Sequence, residues 1–220
     1  MRNGEFIGEY LRGVKEITEK LDRSALDRAV EMLWEAWQRG ATVFTCGNGG
    51  SAGTASHLAA DLFKCTIAPR QPRLRVMSLG DNVPLMSALV NDDGWENVYV
   101  RQLETLFRPG DLLIAISVHG GSGRDHAGLW SQNLLRAMEY AREHGGQTLG
   151  LAGFSGGAMR QLADAVVVVP YHTTPHVESF HVVIHHLLTF CLAERIRAGA
   201  ERTRAVAERG KVHAASAVSR

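Results

Sequence analysis

The sequence has few cysteines, few aromatic residues and almost no net charge. Its 220 residues include three widely spaced cysteines, Cys46, Cys65 and Cys191, with no Cys-x-x-Cys pair. This odd, scattered set argues against a disulfide framework or a structural zinc cluster, so we expect three reduced thiols in or near the core. The balance of 24 Lys and Arg against 23 Asp and Glu argues against a protein that coats nucleic acid.

Long hydrophobic runs are also missing. No stretch approaches the length of a membrane span, and the first residues are charged and lead into no apolar segment. We therefore expect a cytoplasmic protein with neither nucleic acid nor a membrane as its partner. The composition, 45% hydrophobic and 21% charged residues, is typical of a globular protein with a sizeable core.

Residues 5–38 are predicted to form two amino-terminal helices. Apolar residues recur in the first helix at three- and four-residue steps, namely Ile7, Leu11, Val14, Ile17 and Leu21. Ser24 is a candidate N-cap of the second helix, and Gly40 is a candidate C-cap. Trp34 and Trp37 near the end of that helix fit a core position and a contact with a second subunit equally well.

Five short apolar runs follow, and they predict the strands of an α/β fold. The runs are residues 41–46, 74–79, 112–117, 148–152 and 165–170. Several are apolar on both faces, which is typical of parallel strands covered by helices on both sides. Strands that alternate with helices predict a doubly wound, five-stranded parallel sheet with right-handed crossovers. We expect one domain over residues 1–197, ending in a long helix over 176–197, and a charged extension over 198–220 that is either solvated or a frayed helix end.

A glycine-rich loop, Gly47 to Ser56, follows the first predicted strand directly. Glycines allow backbone N–H groups to converge, and a helix starting near Ser51 would attract an anion. Three interpretations compete: a dinucleotide fingerprint, a purely structural turn and a cradle for a sugar phosphate. The fingerprint needs a carboxylate about 20 residues on, and Asp81 lies past that distance, so we expect no nucleotide cofactor.

A second polar loop favours the sugar-phosphate interpretation. Residues 117–123 read Ser-Val-His-Gly-Gly-Ser-Gly and follow the third predicted strand. Ligands of open α/β sheets bind at the carboxyl ends of the strands, where both loops lie. Residues 125–133 lengthen the chain beyond this loop, and they fit a role in specificity or in a subunit contact.

These motifs resemble the SIS fold and, within it, the phosphoheptose isomerase branch. The segments that carry the resemblance are Gly47-Asn48-Gly49-Gly50-Ser51-Ala52 with His57, Asp81-Asn82, Asn91-Asp92-Asp93-Gly94, Arg108-Pro109-Gly110-Asp111, and Glu178-Ser179-Phe180-His181 with His186. The resemblance covers residues 5–197. It implies a homotetramer and an aldose–ketose isomerase that converts sedoheptulose 7-phosphate to D-glycero-D-manno-heptose 7-phosphate.

The resemblance also implies which residues bind the substrate. The phosphate would be held by Ser51, Ser117 and Ser122, and the sugar chain would face Asn48 and Asp81. The full set of predicted substrate-binding residues is Asn48, Gly49, Gly50, Ser51, Asp81, Ser117, His119, Ser122 and Glu178. His119 stands where the family has a hydroxyl residue, and its imidazole can still donate to a phosphate.

The family's metal positions correspond to His57, Asp61, Glu178 and His186, which hold zinc in metal-bound members. Here the family's first-helix glutamate is Asp61, one methylene shorter. His57 and Asp61 share a helix face at i,i+4, and His186 lies eight residues after Glu178. Such nitrogen and oxygen donors suit a divalent metal, and zinc is the first candidate. The metal is optional in this prediction.

The expected catalysts are Asp61 or Glu178 as the base and His186 as the acid of an enediol isomerisation. Purely structural roles for these residues stay open. Asp61 fits a solvated helix position, and Glu178 fits a helix N-terminus that favours a carboxylate. His181 and His185 fit a functional role and a hydrogen-bonded position in the core or at an interface equally well. A non-catalytic SIS protein, either a sugar-phosphate sensor or a partner-binding module, is the alternative function.

Overall fold

The computed structural model describes residues 3–121 and 131–218, with side chains as far as residue 201. The helices are α1 (Asn3–Lys20), α2 (Arg23–Arg39), α3 (Gly50–Cys65), α4 (Val83–Asp93), α5 (Val100–Leu106), α6 (Gln132–Glu143), α7 (Met159–Leu162) and α8 (Thr174–Val218). The strands are β1 (Thr42–Gly47), β2 (Arg75–Ser78), β3 (Leu112–Ile116), β4 (Gln147–Gly153) and β5 (Ala165–Val169).

The five strands form one parallel sheet in the order β2-β1-β3-β4-β5. The predicted fold class and all five predicted strands are thereby confirmed. Side chains alternate between the faces of the sheet, as the period of a strand requires. Leu112 and Ile114 of β3 pack in the core beneath α1, α2, α3 and α8, whereas Leu113 and Ala115 pack beneath α5 and α6.

The amino-terminal helices differ from the prediction in two details. Asp22, not Ser24, is the N-cap of α2, because its carboxylate accepts the backbone N–H groups of Ser24 and Ala25. Gly40 does end the helix, in the left-handed conformation with φ of 66°. The apolar stripe of α1 is only partly covered, since Ile7 and Leu11 are exposed.

Trp34 and Trp37 pack at the edge of the core beside α8. Their rings stack with centroids 4.9 Å apart, and the Trp37 indole donates to the Pro72 carbonyl at 3.0 Å. The Arg195 guanidinium lies 4.4 Å from the Trp34 ring centroid. Both tryptophans are therefore engaged within their own chain.

The final helix is longer than expected. α8 runs from Thr174 to Val218, so the helix continues through most of residues 198–220 instead of ending at 197. Cys191 on α8 is exposed, which departs from the expectation that all three cysteines lie in or near the core. Cys46 is buried and Cys65 is half-buried. Among the described residues, every helix is too short or too polar to cross a membrane.

Candidate active site

The two polar loops leave the sheet side by side. Gly47, the last residue of β1, pairs with Ile116, the last residue of β3. Neighbouring strands lie about 5 Å apart, so the loops that follow begin at adjacent points of the same sheet edge. This edge is also the point where the strand order reverses, the usual ligand position of open α/β sheets.

The first loop turns tightly into α3. A Cβ atom on Gly47 would lie 2.4 Å from the Ser51 carbonyl oxygen, so only glycine allows the helix to start so close to the strand. The helix begins at Gly50, within a residue of the predicted start. Ser51 is buried in its first turn, where the helix dipole favours an anion.

The second loop is held by its own hydroxyl. Ser117 is buried, and its Oγ accepts the Gly121 N–H at 3.2 Å, which leaves the hydroxyl proton to donate elsewhere. A Cβ atom on Gly120 would lie 1.9 Å from the Gly156 carbonyl oxygen, so this loop also requires glycine. The predicted phosphate ligand Ser122 lies outside the described residues.

The side chains expected to face the sugar already have protein partners. Asn48 exchanges two amide hydrogen bonds of 2.9 Å with Asn133 at the start of α6. Asn133 is fully buried, and sequence reasoning missed it because no motif links it to the glycine loop. Asp81 accepts the hydroxyls of Ser56 and Ser78.

His119 packs against Phe154 after β4, with ring centroids 4.2 Å apart. That contact places its ring on the β4 side of the second loop. The imidazole remains half-exposed there.

Three histidines and a carboxylate meet between α3 and α8, in a group formed by His57, Asp61, His185 and His186. Asp61 Oδ2 lies 3.4 Å from His57 Nε2, 3.4 Å from His186 Nε2 and 3.8 Å from His185 Nδ1. The four ligand atoms lie within 4.8 Å of one another. We call these four residues the histidine cluster.

Glu178 lies apart from this cluster. A Cβ atom on Gly50 would lie 2.6 Å from Glu178 Oε1, so the carboxylate rests against the glycine loop at the start of α3. Seven residues of helix, about 10 Å of axial rise, separate Glu178 from His185. The structure thus brings together three of the four residues expected at the metal and places His185 with them, whereas Glu178 contacts the loop instead. Two consecutive histidines on the last helix were the available signal for His185.

Burial dominates the electrostatics of two histidines on α8. Desolvation is the main reason that the pKa of His185 is lowered to about 4; the neighbouring rings of His186 and His57 also lower the pKa, and Asp61 opposes the shift. Desolvation also lowers the pKa of His181 to about 4, opposed in part by the Ala152 carbonyl. Within the part of the chain that the structure describes, none of the four ring nitrogens of His181 and His185 makes a hydrogen bond of ordinary geometry. Both histidines therefore lie in the core, but their ring nitrogens lack the hydrogen bonds that were expected there.

The histidine cluster fits a divalent metal. Two ligands of tetrahedral zinc, each bound at about 2.0–2.1 Å, lie about 3.3–3.4 Å apart. Two of the three distances from Asp61 Oδ2 have that value, and the third is 0.4 Å longer. The buried imidazole of His185 without a partner is the kind of group that a metal would satisfy.

Comparisons with known proteins identify the family and proteins of similar fold. A profile of the SIS domain matches residues 5–153. The chain is 43% identical over 181 residues to the lincomycin biosynthesis protein LmbN of Streptomyces lincolnensis, a match that covers 80% of this chain but only 64% of LmbN. It is 39% identical over 186 residues to a phosphoheptose isomerase of Nitratiruptor, covering 84% of this chain and 94% of that protein. The structure of the phosphoheptose isomerase GmhA from Neisseria gonorrhoeae superposes with a TM-score of 0.75 at 25% identity, covering 87% of this chain and 96% of that one.

Proposed function

Because this chain belongs to the SIS-domain family, in the branch of the phosphoheptose isomerases, we propose that it interconverts the ketose and aldose forms of a phosphorylated sugar. Sedoheptulose 7-phosphate is the first candidate substrate, with D-glycero-D-manno-heptose 7-phosphate as its product. The observation that carries the proposal is the position of the histidine cluster, which lies along the same helix, α3, whose amino end forms the anion cradle.

The phosphate binds where the two polar loops meet. The hydroxyls of Ser51 and Ser117 supply donors just after two adjacent strands, β1 and β3, and the dipole of a helix N-terminus stabilises a bound anion. Glu178 lies beside this end of the site. Its carboxylate is placed to accept a hydrogen bond from a hydroxyl of the sugar chain.

The reacting carbons lie at the histidine cluster. Asp61 takes the proton from the carbon next to the carbonyl, and His186 donates a proton to the carbonyl oxygen, which gives an enediol. Asp61 then returns its proton to the former carbonyl carbon while His186 accepts the proton of the other enediol hydroxyl, so the sugar is isomerised without net gain or loss of atoms. All three contacts of Asp61 within the cluster involve Oδ2, which leaves Oδ1 to act as the base.

The separation of the two ends favours a long sugar. Gly50 and His57 are seven residues apart on α3, about 10 Å along the helix axis. A substrate must reach from the phosphate loops to the cluster, so an extended heptose phosphate fits this span better than a triose or tetrose phosphate. The similarity to LmbN, a lincomycin biosynthesis protein, makes sugar phosphates of secondary metabolism worth including in the assay.

A divalent metal, zinc first, belongs to this proposal. When bound at the histidine cluster it would supply Lewis-acid polarisation of the sugar's carbonyl. His57, Asp61 and His186 would hold such an ion between α3 and α8.

We also propose a cytoplasmic homo-oligomer, with the tetramer as the first candidate. One stripe of α8 exposes Val183, Leu187 and Phe190, with exposed fractions of 48%, 37% and 48%. These residues share a helix face with His186 at three- and four-residue steps. A second copy that covers the stripe would bury apolar surface beside the reaction centre.

Turnover by purified protein tests the proposed function. Ketose phosphates of increasing chain length are incubated with the protein, with zinc or with a chelator, and aldose formation is followed by NMR. We expect conversion of a heptulose phosphate by the wild type and loss of conversion in Asp61→Asn and His186→Ala. Absence of turnover with every ketose phosphate, together with retained phosphate binding, would favour the non-catalytic sensor instead.

A further inference from the structure

We infer that His185, rather than Glu178, is the fourth ligand of the metal site, so that a divalent cation is bound by His57, Asp61, His185 and His186. The inference rests on the proposed function, because it concerns the metal of the same site. It changes the donor set that the family resemblance implies from two imidazoles and two oxygen ligands to three imidazoles and one carboxylate oxygen.

The first argument is the position of Asp61. Its Oδ2 atom faces one ring nitrogen of each of three histidines, at 3.4, 3.4 and 3.8 Å. The ring centroids of His57 and His185 are 4.4 Å apart, and those of His185 and His186 are 4.2 Å apart. His185 is therefore an integral member of the group. Small side-chain adjustments bring its Nδ1 to about 3.3–3.4 Å from Asp61 Oδ2, the separation of two ligands of a tetrahedral metal.

The second argument is the chemistry of His185. The ring is fully buried, and neither of its nitrogens has a hydrogen-bond partner of ordinary geometry among the described residues. A buried polar group without a partner destabilises the folded state, and such groups in native proteins call for an explanation. A cation bound to Nδ1 satisfies the nitrogen that faces the Asp61 carboxylate.

The third argument is the place of Glu178. Its carboxylate lies against Gly50, about 10 Å of helix rise before His185. Asp61 is one methylene shorter than the glutamate of the family pattern, so its oxygen stays closer to α3. An imidazole from the buried side of α8 reaches an ion held at that depth, and Glu178 is left to the substrate.

X-ray absorption spectroscopy of the zinc-loaded wild type tests the donor set without any substitution. Scattering from the outer atoms of imidazole rings counts the histidine ligands. We expect three imidazoles and one oxygen ligand. A count of two imidazoles overturns the inference, and so does a wild type that binds no zinc in competition with a chelating dye.

A matched pair of variants gives a second readout. We expect His185→Leu to weaken zinc binding at least about 100-fold, because even the loss of an outer-shell partner costs 10–100-fold, while Glu178→Leu leaves the zinc affinity unchanged. The reverse pattern identifies Glu178 as the ligand and overturns the inference. If His185→Leu does not fold, as judged by circular dichroism, the absorption spectrum of the wild type decides.

The isomerase assay separates this inference from the proposed function. Zinc bound by three histidines in a protein that turns over no ketose phosphate supports the metal site and refutes the isomerase. Turnover by a protein whose zinc has only two imidazole ligands supports the isomerase and refutes the role of His185.

Discussion

Replacement of His181 by leucine should flatten the acid side of the stability profile. His181 is 1% exposed, and burial lowers its pKa from the ordinary value of 6.5 to about 4. The unfolded chain therefore binds more protons than the folded one between those values. Stability is unaffected by this group above pH 6.5 and is lost as the pH falls from 6.5 toward 4.

The magnitude follows from the gap between the two pKa values. A gap from 6.5 to about 4 corresponds to about 3 kcal/mol when His181 is protonated in both states. About 2 kcal/mol of that cost is already present at pH 4.5. Leucine binds no proton and leaves no buried nitrogen without a hydrogen bond. The unfolding free energy of the variant should therefore equal or exceed that of the wild type at pH 7.

Urea titrations at pH 7.0 and pH 4.5, with a chelator present to exclude metal, measure the effect. We expect the unfolding free energy of His181→Leu to fall by about 2 kcal/mol less than that of the wild type between the two pH values. His172→Leu is the matched control, because His172 is exposed. If His181→Leu loses as much stability on acidification as the wild type, burial of this imidazole is not what makes the fold acid-sensitive.

Two further predictions concern the loops of the site, and a third concerns the opposite edge of the sheet. Gly50→Ala adds a Cβ atom 2.6 Å from Glu178 Oε1 and should displace the carboxylate. We expect KM to rise about tenfold, the cost of one charged hydrogen bond, while Tm is not lowered. An unchanged KM would place Glu178 outside the substrate contacts. Asp111→Ala removes a buried carboxylate that accepts two backbone N–H groups at 2.7 and 2.8 Å, so it should cost about 2–3 kcal/mol in urea titrations with kcat per folded molecule intact. Ser117→Ala should weaken inorganic phosphate binding about tenfold by calorimetry, the value of one charge-assisted hydrogen bond, and equal affinity would move the phosphate away from β3.

The same Asp111 shows what a family motif leaves open. Residues 108–111 resemble a motif of the isomerase branch, but the sequence does not tell whether the motif acts in the reaction or in the fold. In the fold, the Asp111 carboxylate joins the start of β1 to the turn before β3 through backbone N–H groups. The motif therefore has a structural role, and only the contacts of the folded chain distinguish the two.

The order of elements followed from local patterns. Apolar runs of five or six residues separated by amphipathic segments predict parallel strands and crossover helices, and a glycine loop after β1 predicts an anion cradle, because these signals depend on near neighbours in the chain. The i,i+4 spacing of His57 and Asp61 likewise suffices to place both residues on one face of α3.

Tertiary structure alone decided which part of α8 meets that face. Spacing along a helix tells which residues share a side, but not how far the helix slides or turns against its neighbour. The packing of α8 against α3 brings His185 and His186 to Asp61 and leaves Glu178 two turns earlier at the glycine loop. It also buries His185 without a hydrogen-bond partner, a property of the surrounding core that no residue pattern in α8 specifies, because burial depends on elements distant in sequence.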